Sequence, residues 1–501
     1  MIRLLITLIA IALSGIVQAQ QQASQWYFGR NAGVNFNTQP PTVKTDGVLN
    51  TEEGCITIAD AQGKLLFYSD GVNVWNSQHQ TMPNGTGLKG HPSSTSSGVV
   101  IKQPGNTNIY FLFTVDATAG PNGLEYSVID MNLQNGLGDV LPDKKNIMLQ
   151  TPVTEKLTAV SHRNGVDYWI IAHGDKNNNF IAYLLTATGV STTPVVSSIG
   201  TVHEGVGNLY TQGYMKSNPD GSNLAVALED KHAIEILDFD NKTGSITHPI
   251  YIQLPSNSYT YGIEFSPSGS LLYVSAAGLA QIYQYNLQAG SEEAIKESRV
   301  VVGRGTVAKW IGALQISIDG KIYFTQYETP YLGCIPSPNT LGTGCGFEEK
   351  AIDLQGKNSS LGLPTFSQNY FYKSVQKNIT YFDPTKIEKG KAYVLKNILF
   401  DFNSSTLKTT SYVEVDKIVA ALKANPSLKV VLKGHTDNIG NKSYNIQLST
   451  NRAKAVADYI QQKGIAADRI RYEGYGSGEP VAGNDTEAGR ALNRRVEAVF
   501  E

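Results

Sequence analysis

A chain of 501 residues is too long for one ordinary hydrophobic core, so at least two domains are expected. Its net charge of -2, with both signs interspersed, argues against a nucleic-acid binder or a protein held on a membrane surface by basic patches. Forty-eight glycines, 26 tyrosines and a charged fraction of 17% suit a β-rich exported protein better than a helical cytosolic one.

The chain opens with "MIRLLITLIAIALSGIVQAQ", in which Arg3 precedes an apolar run from Leu4 to Leu13 and a small-residue exit at Val17-Gln18-Ala19. This reads as a signal peptide, residues 1–19, cleaved after Ala19. The run is shorter than the ~20 residues a spanning helix needs, and no Cys stands near the exit to accept a lipid. The expectation is therefore an exported protein in the periplasm of a Gram-negative cell.

Residues 26–373 carry a recurring pattern: a turn closed by glycine, then alternating apolar residues. The copies are "DAQGKLLFYSDG", "QPGNTNIYFLFTVD", "HRNGVDYWIIAHG", "NPDGSNLAVALED", "SPSGSLLYVSAAG" and "SIDGKIYFTQY", with turn glycines Gly63, Gly105, Gly165, Gly221, Gly269 and Gly320. Successive gaps of 42, 60, 56, 48 and 51 residues are close to the ~40–50 of propeller blades. Each copy fits a hairpin whose turn needs positive φ. A unit of about four strands cannot bury both faces alone, so the units are expected to stack radially. The expected fold is an all-β propeller of six or seven blades, the seventh being a blade shared between "WYFGRNAGVNFN" and "LPTFSQNYFYK". Two rivals fit less well. A membrane barrel needs lipid-facing alternation along whole strands, and an array of β-sandwiches needs domains twice this period.

The three cysteines give one disulfide candidate, Cys334 with Cys345, closing the loop "CIPSPNTLGTGC"; Cys55 reads as a buried apolar residue. "DFDNKTG" places Asp238, Asp240 and Gly244 loosely as in a calcium loop but lacks the closing glutamate, so a β-turn is the better reading. Neither a metal nor a cofactor is expected. No catalytic motif is visible, and Glu52, Glu53, Glu204 and Glu264 are too scattered to pair as glycosidase carboxylates. The segments "WYFGRNAGVNFN", "LNTEEGCITIAD", "LLFYSDGVNVWN", "MPNGTGL" and "GALQISIDGKIY" resemble propeller segments, of the WD or YVTN type, in exported proteins of Bacteroidetes. That resemblance implies a fold and no chemistry.

A polar, Lys-rich stretch, residues 374–385, reads as a linker, and residues 386–501 as a second domain. "KAYVLKNILFDFN" predicts a strand. "TSYVEVDKIVAALKANP" predicts a helix, with Val415, Ile418, Val419 and Leu422 on one stripe. "SLKVVLKGHTD" predicts another strand, followed by a long helix to about Gln462 with Gly464 as its stop. "DRIRYEGYGS" and "NRRVEAVF" supply the last strands, giving an α/β sandwich with helices on one sheet. Asn445 and Arg452 are two helical turns apart and share a face. Asp437 stands just beyond the carboxyl end of the strand before them, and Asn403 in the loop after the first strand. A carboxylate and a guanidinium converging on one rim suit a zwitterion. An Asp–Arg pair taken alone is more often a tie between loop and helix.

"ILFDFNSSTL", "GHTDNIGNKSYNIQLSTNRAKAV", "GYGSGEPVAGN" and "GRALNRRVE" resemble, in order and spacing, the OmpA-like peptidoglycan-binding domain. The resemblance implies binding of the zwitterionic end of diaminopimelate in peptidoglycan stem peptides. Asp437 and Arg452 would clamp it, and Asn403, Thr436 and Asn445 would add hydrogen bonds. One of Arg494 and Arg495 would support the loop electrostatically. His435 reads as packed, neither acid nor base. The chain is thus expected to be a non-enzymatic, wall-bound envelope protein near the outer membrane, with a propeller that binds an unidentified protein or glycan. Alternatives are a wall-localised propeller hydrolase and an accessory component of an envelope secretion machine such as type IX secretion.

Overall fold

The computed structural model describes residues 21–501 apart from 206, 308–309, 372–380, 385, 396–397, 399, 401–403, 482–489 and 491. The expected signal peptide, most of the expected linker and Asn403 therefore lie outside the described residues. Among the described residues no helix is long and apolar enough to cross a membrane.

Residues 25–353 form seven small antiparallel sheets of three to five strands, each built from consecutive stretches of chain. Their first strands are Gln25–Phe28, Ile56–Ala59, Gly98–Lys102, Val153–Ser161, Met215–Ser217, Thr260–Phe265 and Ile311–Ile316. All seven are almost wholly buried, whereas outer strands such as Val300–Arg304 and Glu348–Asp353 alternate between exposed and covered positions. A strand covered on both faces packs its apolar residues into cores and must find partners for any buried charge, as Lys216 does with Glu264 at 2.8 Å, whereas an outer strand needs only one apolar face.

The six repeated sequence patterns are the hairpins joining the first and second strands of the second to seventh sheets. Each turn glycine has φ between 68° and 80°, a conformation that costs a side chain energy and glycine nothing. The first sheet differs from expectation. "WYFGRNAGVNFN" pairs with itself, Trp26 opposite Val34, and then with Thr42–Lys44. The stretch from Leu361 to Phe371 adds no strand, because its Leu361, Leu363 and Phe366 are consumed in packing against the first sheet.

Neighbouring sheets share apolar cores in chain order. Ile101 and Phe113 pack with Leu157 and Ile170, Ile171 and Phe180 with Val226 and Leu237. Ile236 packs with Ile263 and Val274, and Tyr273 with Leu314 and Phe324. The seventh sheet shares a core with the first and second, where the Trp26 ring lies 6.1 Å from Tyr323 and 4.5 Å from Phe36. Backbone bonds cross the same seam: Arg30 N–H to Asn358 O at 2.9 Å and Leu361 N–H to Glu52 O at 2.8 Å.

The proposed disulfide is not formed. Cys55, Cys334 and Cys345 are all buried free thiols. Cys334 faces the core shared with Trp26, while Cys345 faces the core shared with Tyr273. The intervening loop is closed instead by Ser337 N–H donating to Cys345 O at 2.9 Å. In "DFDNKTG" the Gly244 N–H bonds Asp240 O and the Asp240 carboxylate caps Lys242 N–H, so the segment is a turn. Among the described residues no cluster of three metal-ligating side chains exists.

Among the described residues the C-terminal unit has one four-stranded sheet in the order Ala392–Val394, Val496–Phe500, Val430–Gly434, Ile470–Gly474, the last pair parallel. Helices Tyr412–Ala424 and Lys442–Gln462 both contribute to its core: Val415, Ile418, Val419 and Leu422 from one, Ala453, Val456, Ala457 and Ile460 from the other. Gly464, at φ 89°, ends the longer helix. Phe382 belongs to this core as well, stacked 5.3 Å from Phe500.

Candidate functional site

Two glycines bring the long helix onto the ends of two parallel strands. A Cβ on Gly434 would lie 2.1 Å from Ser449 O, and one on Gly474 would lie 2.1 Å from Thr450 Oγ1. Only glycine permits that approach, and it carries the helix face bearing Asn445 and Arg452 over the rim. The helix starts cleanly because Asn441 Oδ1 accepts from Tyr444 N–H at 2.8 Å.

The loop between strand and helix is fixed from both sides. His435 N–H donates to Arg495 O and Thr436 N–H to Gly476 O, each at 2.9 Å. The Thr436 hydroxyl donates to Asp437 O at 2.9 Å, and Asn445 Nδ2 donates to Asp437 O at 3.3 Å and Ile439 O at 3.0 Å. Thr436 and Asn445, both 3% exposed, thus direct these donors at the loop itself and hold Asp437 in place. The family resemblance implies ligand contacts for these two residues, whereas the donors observed here are spent on the loop.

Asp437 is 9% exposed and Arg452 8%. They do not form an ion pair. Asp437 Oδ1 accepts from Ile439 N–H at 3.0 Å, and Oδ2 accepts from Arg494 at 2.7 Å. A carboxylate has about four acceptor positions, so two remain for another donor. Arg452 Nε donates to Ser404 O at 3.0 Å, and its guanidinium lies 5.0 Å over the Phe400 ring. Among the described residues it makes no ion pair. Burial and the neighbouring Arg494 charge depress the Arg452 pKa, opposed by Asp437 and Tyr444, so these charges occupy one locality.

Arg494 is the partner that sequence reasoning left undecided between two consecutive arginines. Arg495 turns the other way and bonds Glu497 at 2.6 and 2.7 Å. His435 lies 3.7 Å from the same Glu497 and 5.4 Å from the Tyr475 ring, stacked and buried. Burial opposes ionisation of Glu497, but His435 and Arg495 outweigh it and hold its pKa at about 2. His435 is therefore a packed residue beside a structural ion pair.

Residues 399–494 match the OmpA family. The C-terminal part of this chain is an OmpA family domain. Over 105 residues the chain is 45% identical to outer membrane porin F of Pseudomonas fluorescens, a match covering 21% of this chain and 32% of that protein. It is 44% identical over 102 residues to the peptidoglycan-binding protein ArfA of Mycobacterium bovis, covering 20% of this chain and 31% of that one. The chain thus spans about a third of the length of these relatives. Among solved structures, the peptidoglycan-associated lipoprotein of Burkholderia pseudomallei aligns at 29% identity with a TM-score of 0.20, covering 21% of this chain and 88% of that chain.

Proposed function

We propose that the OmpA domain binds peptidoglycan non-covalently through the zwitterionic end of diaminopimelate, the Arg452 guanidinium taking the carboxylate and Asp437 the ammonium. One observation carries this reading. Arg452 is buried, makes no ion pair among the described residues, and shares its locality with a carboxylate anchored by a different arginine. An unpaired buried cation is costly, and a ligand carboxylate gripped by two parallel N–H bonds would offset that cost. The porin F and ArfA similarities support the same assignment. Asn403, outside the described residues, is retained as a further ligand contact.

We further propose that the seven sheets form a seven-bladed propeller presenting a surface to a protein or glycan partner, and that the protein acts without catalysis as a wall-bound adaptor in the periplasm, at the outer membrane. Support comes from the chain-order succession of shared cores and from the core and hydrogen bonds joining the seventh sheet to the first. A repetitive wall polymer multiplies weak contacts through effective concentration.

The test is co-sedimentation of the full chain with purified diaminopimelate-containing peptidoglycan, competed by free diaminopimelate. Binding that free diaminopimelate displaces is expected. Binding that survives saturating competitor refutes the assignment.

A further inference from the structure

A cavity of about 430 Å³ lies far from Asp437 in sequence, in the sheet body, within the ~300–1,000 Å³ typical of small-molecule sites. It is lined from three successive parts of that body and from both of its chain ends. Tyr110 comes from the third sheet and Tyr168 from the fourth. Gln22 precedes the first strand, and Tyr370 follows the last sheet.

The chemistry of the lining is specific. Three tyrosines converge: burial raises the Tyr370 pKa, with Tyr168 and Tyr110 adding to it, so the phenols lie close together. Tyr168 accepts a hydrogen bond from Asn369 at 3.0 Å and also bonds the Ser161 side chain, which fixes its phenol in the cavity wall. The Gln22 Oε1 atom is buried with no hydrogen-bond partner among the described residues. Asp60 and Lys102 add one charge of each sign, so the lining is balanced and selects neither an anion nor a cation. Leu66 and Met131 supply an apolar wall beside the rings.

Alternating donors and acceptors around aromatic and apolar faces match a molecule whose hydroxyls both donate and accept and whose C–H face is apolar. We propose that this cavity is a binding site for a neutral saccharide unit. Such a ligand would touch both the first and the last turn of the sheet body. The site is independent of the Asp437–Arg452 rim.

The experiment uses the full chain and ligand-observed saturation-transfer NMR with two neutral probes, N-acetylglucosamine trimer and cellotriose. The first carries the acetamido sugar of a wall glycan and the second represents plain hexose polymers. Inorganic phosphate and lysine methyl ester are the charged controls, followed by displacement or calorimetry. Binding of at least one saccharide is expected, weakened at least fivefold by both Lys102→Ala and Tyr168→Phe, with the part of wall co-sedimentation that free diaminopimelate displaces unchanged. Lys102 is only partly buried, so its truncation preserves the fold, which circular dichroism checks. Silence from both saccharides, binding indifferent to both variants, or stronger binding of phosphate or lysine ester overturns the proposal.

Discussion

Arg452→Met isolates the charge that the wall-binding reading needs. Methionine keeps an apolar stem against Phe400 and removes the guanidinium. The fold loses the Nε bond to Ser404 O at 3.0 Å, worth ~1.5–3 kcal/mol for a charged donor, and a cation–π contact of ~0.5–2 kcal/mol. Against this it is relieved of a desolvated cation that has no counter-ion among the described residues, a term of a few kcal/mol and opposite sign. The net change in stability should lie within about 2 kcal/mol. Binding has no such compensation, because the ligand carboxylate would enter the rim unmatched at a cost of ~2–5 kcal/mol. At ~1.4 kcal/mol per decade this is about a 30- to 4,000-fold loss of affinity. Co-sedimentation with purified wall, alongside thermal melts, reads both quantities. A folded variant that sediments within threefold of wild type would refute the reasoning, as would a melt lowered so far that Arg452 is shown to be structural.

Arg494→Met removes the 2.7 Å partner of Asp437 but leaves the Ile439 N–H bond, so wall binding should weaken about tenfold, less than for Arg452→Met, in the same assay. Glu497 has its folded pKa held at about 2, below its ordinary value near 4.5. Its contribution is therefore present above pH 4.5 and lost as pH falls toward 2, at most about 3 kcal/mol. Glu497→Gln should abolish that portion of the acid limb in a profile of melting temperature against pH. Glu53 behaves oppositely, since burial, then Glu155, Glu229 and Glu52, push its carboxyl up to about 9. Between pH 4.5 and 9 the unfolded chain ionises it while the folded chain keeps the proton, so stability falls as pH rises. Glu53→Gln should stabilise the sheet body by at least about 1 kcal/mol at pH 8 and leave pH 4 unchanged. Finally, a Cβ at Gly362 would lie 1.6 Å from Glu53 O. Gly362→Ala should cost at least about 2 kcal/mol in denaturant melts.

Local rules made much of this legible. The six turn glycines all adopt the left-handed backbone expected of them, because the requirement is set within four residues. The stripe of Val415, Ile418, Val419 and Leu422 is buried as its spacing demands. The convergence of Asp437 and Arg452 was readable because one lies at a strand end and the other on the helix that follows. What escaped reading depends on distant partners. The first sheet has Gly29-Arg30-Asn31 at its hairpin, with no Asp-Gly or Asn-Gly pair, and its seam to the last sheet joins residues more than 300 positions apart, Arg30 to Asn358. The choice of Arg494 over Arg495 turned on which way two adjacent side chains leave the backbone. The disulfide failed because spacing along a loop says nothing of which core each thiol faces.

The chain quits the sheet body through the short stretch from Leu361 to Phe371, and that stretch also fastens the seam. Leu361 gives its N–H to Glu52 and takes one from Ala313, while Phe366 packs beside Trp26. Tension arriving from the C-terminal side would load first the bonds from Asn369 to Tyr168 and from Gln368 to Glu264, and only beyond them the junction of first and last sheets. A tug strong enough to break those bonds would next part the first sheet from the last.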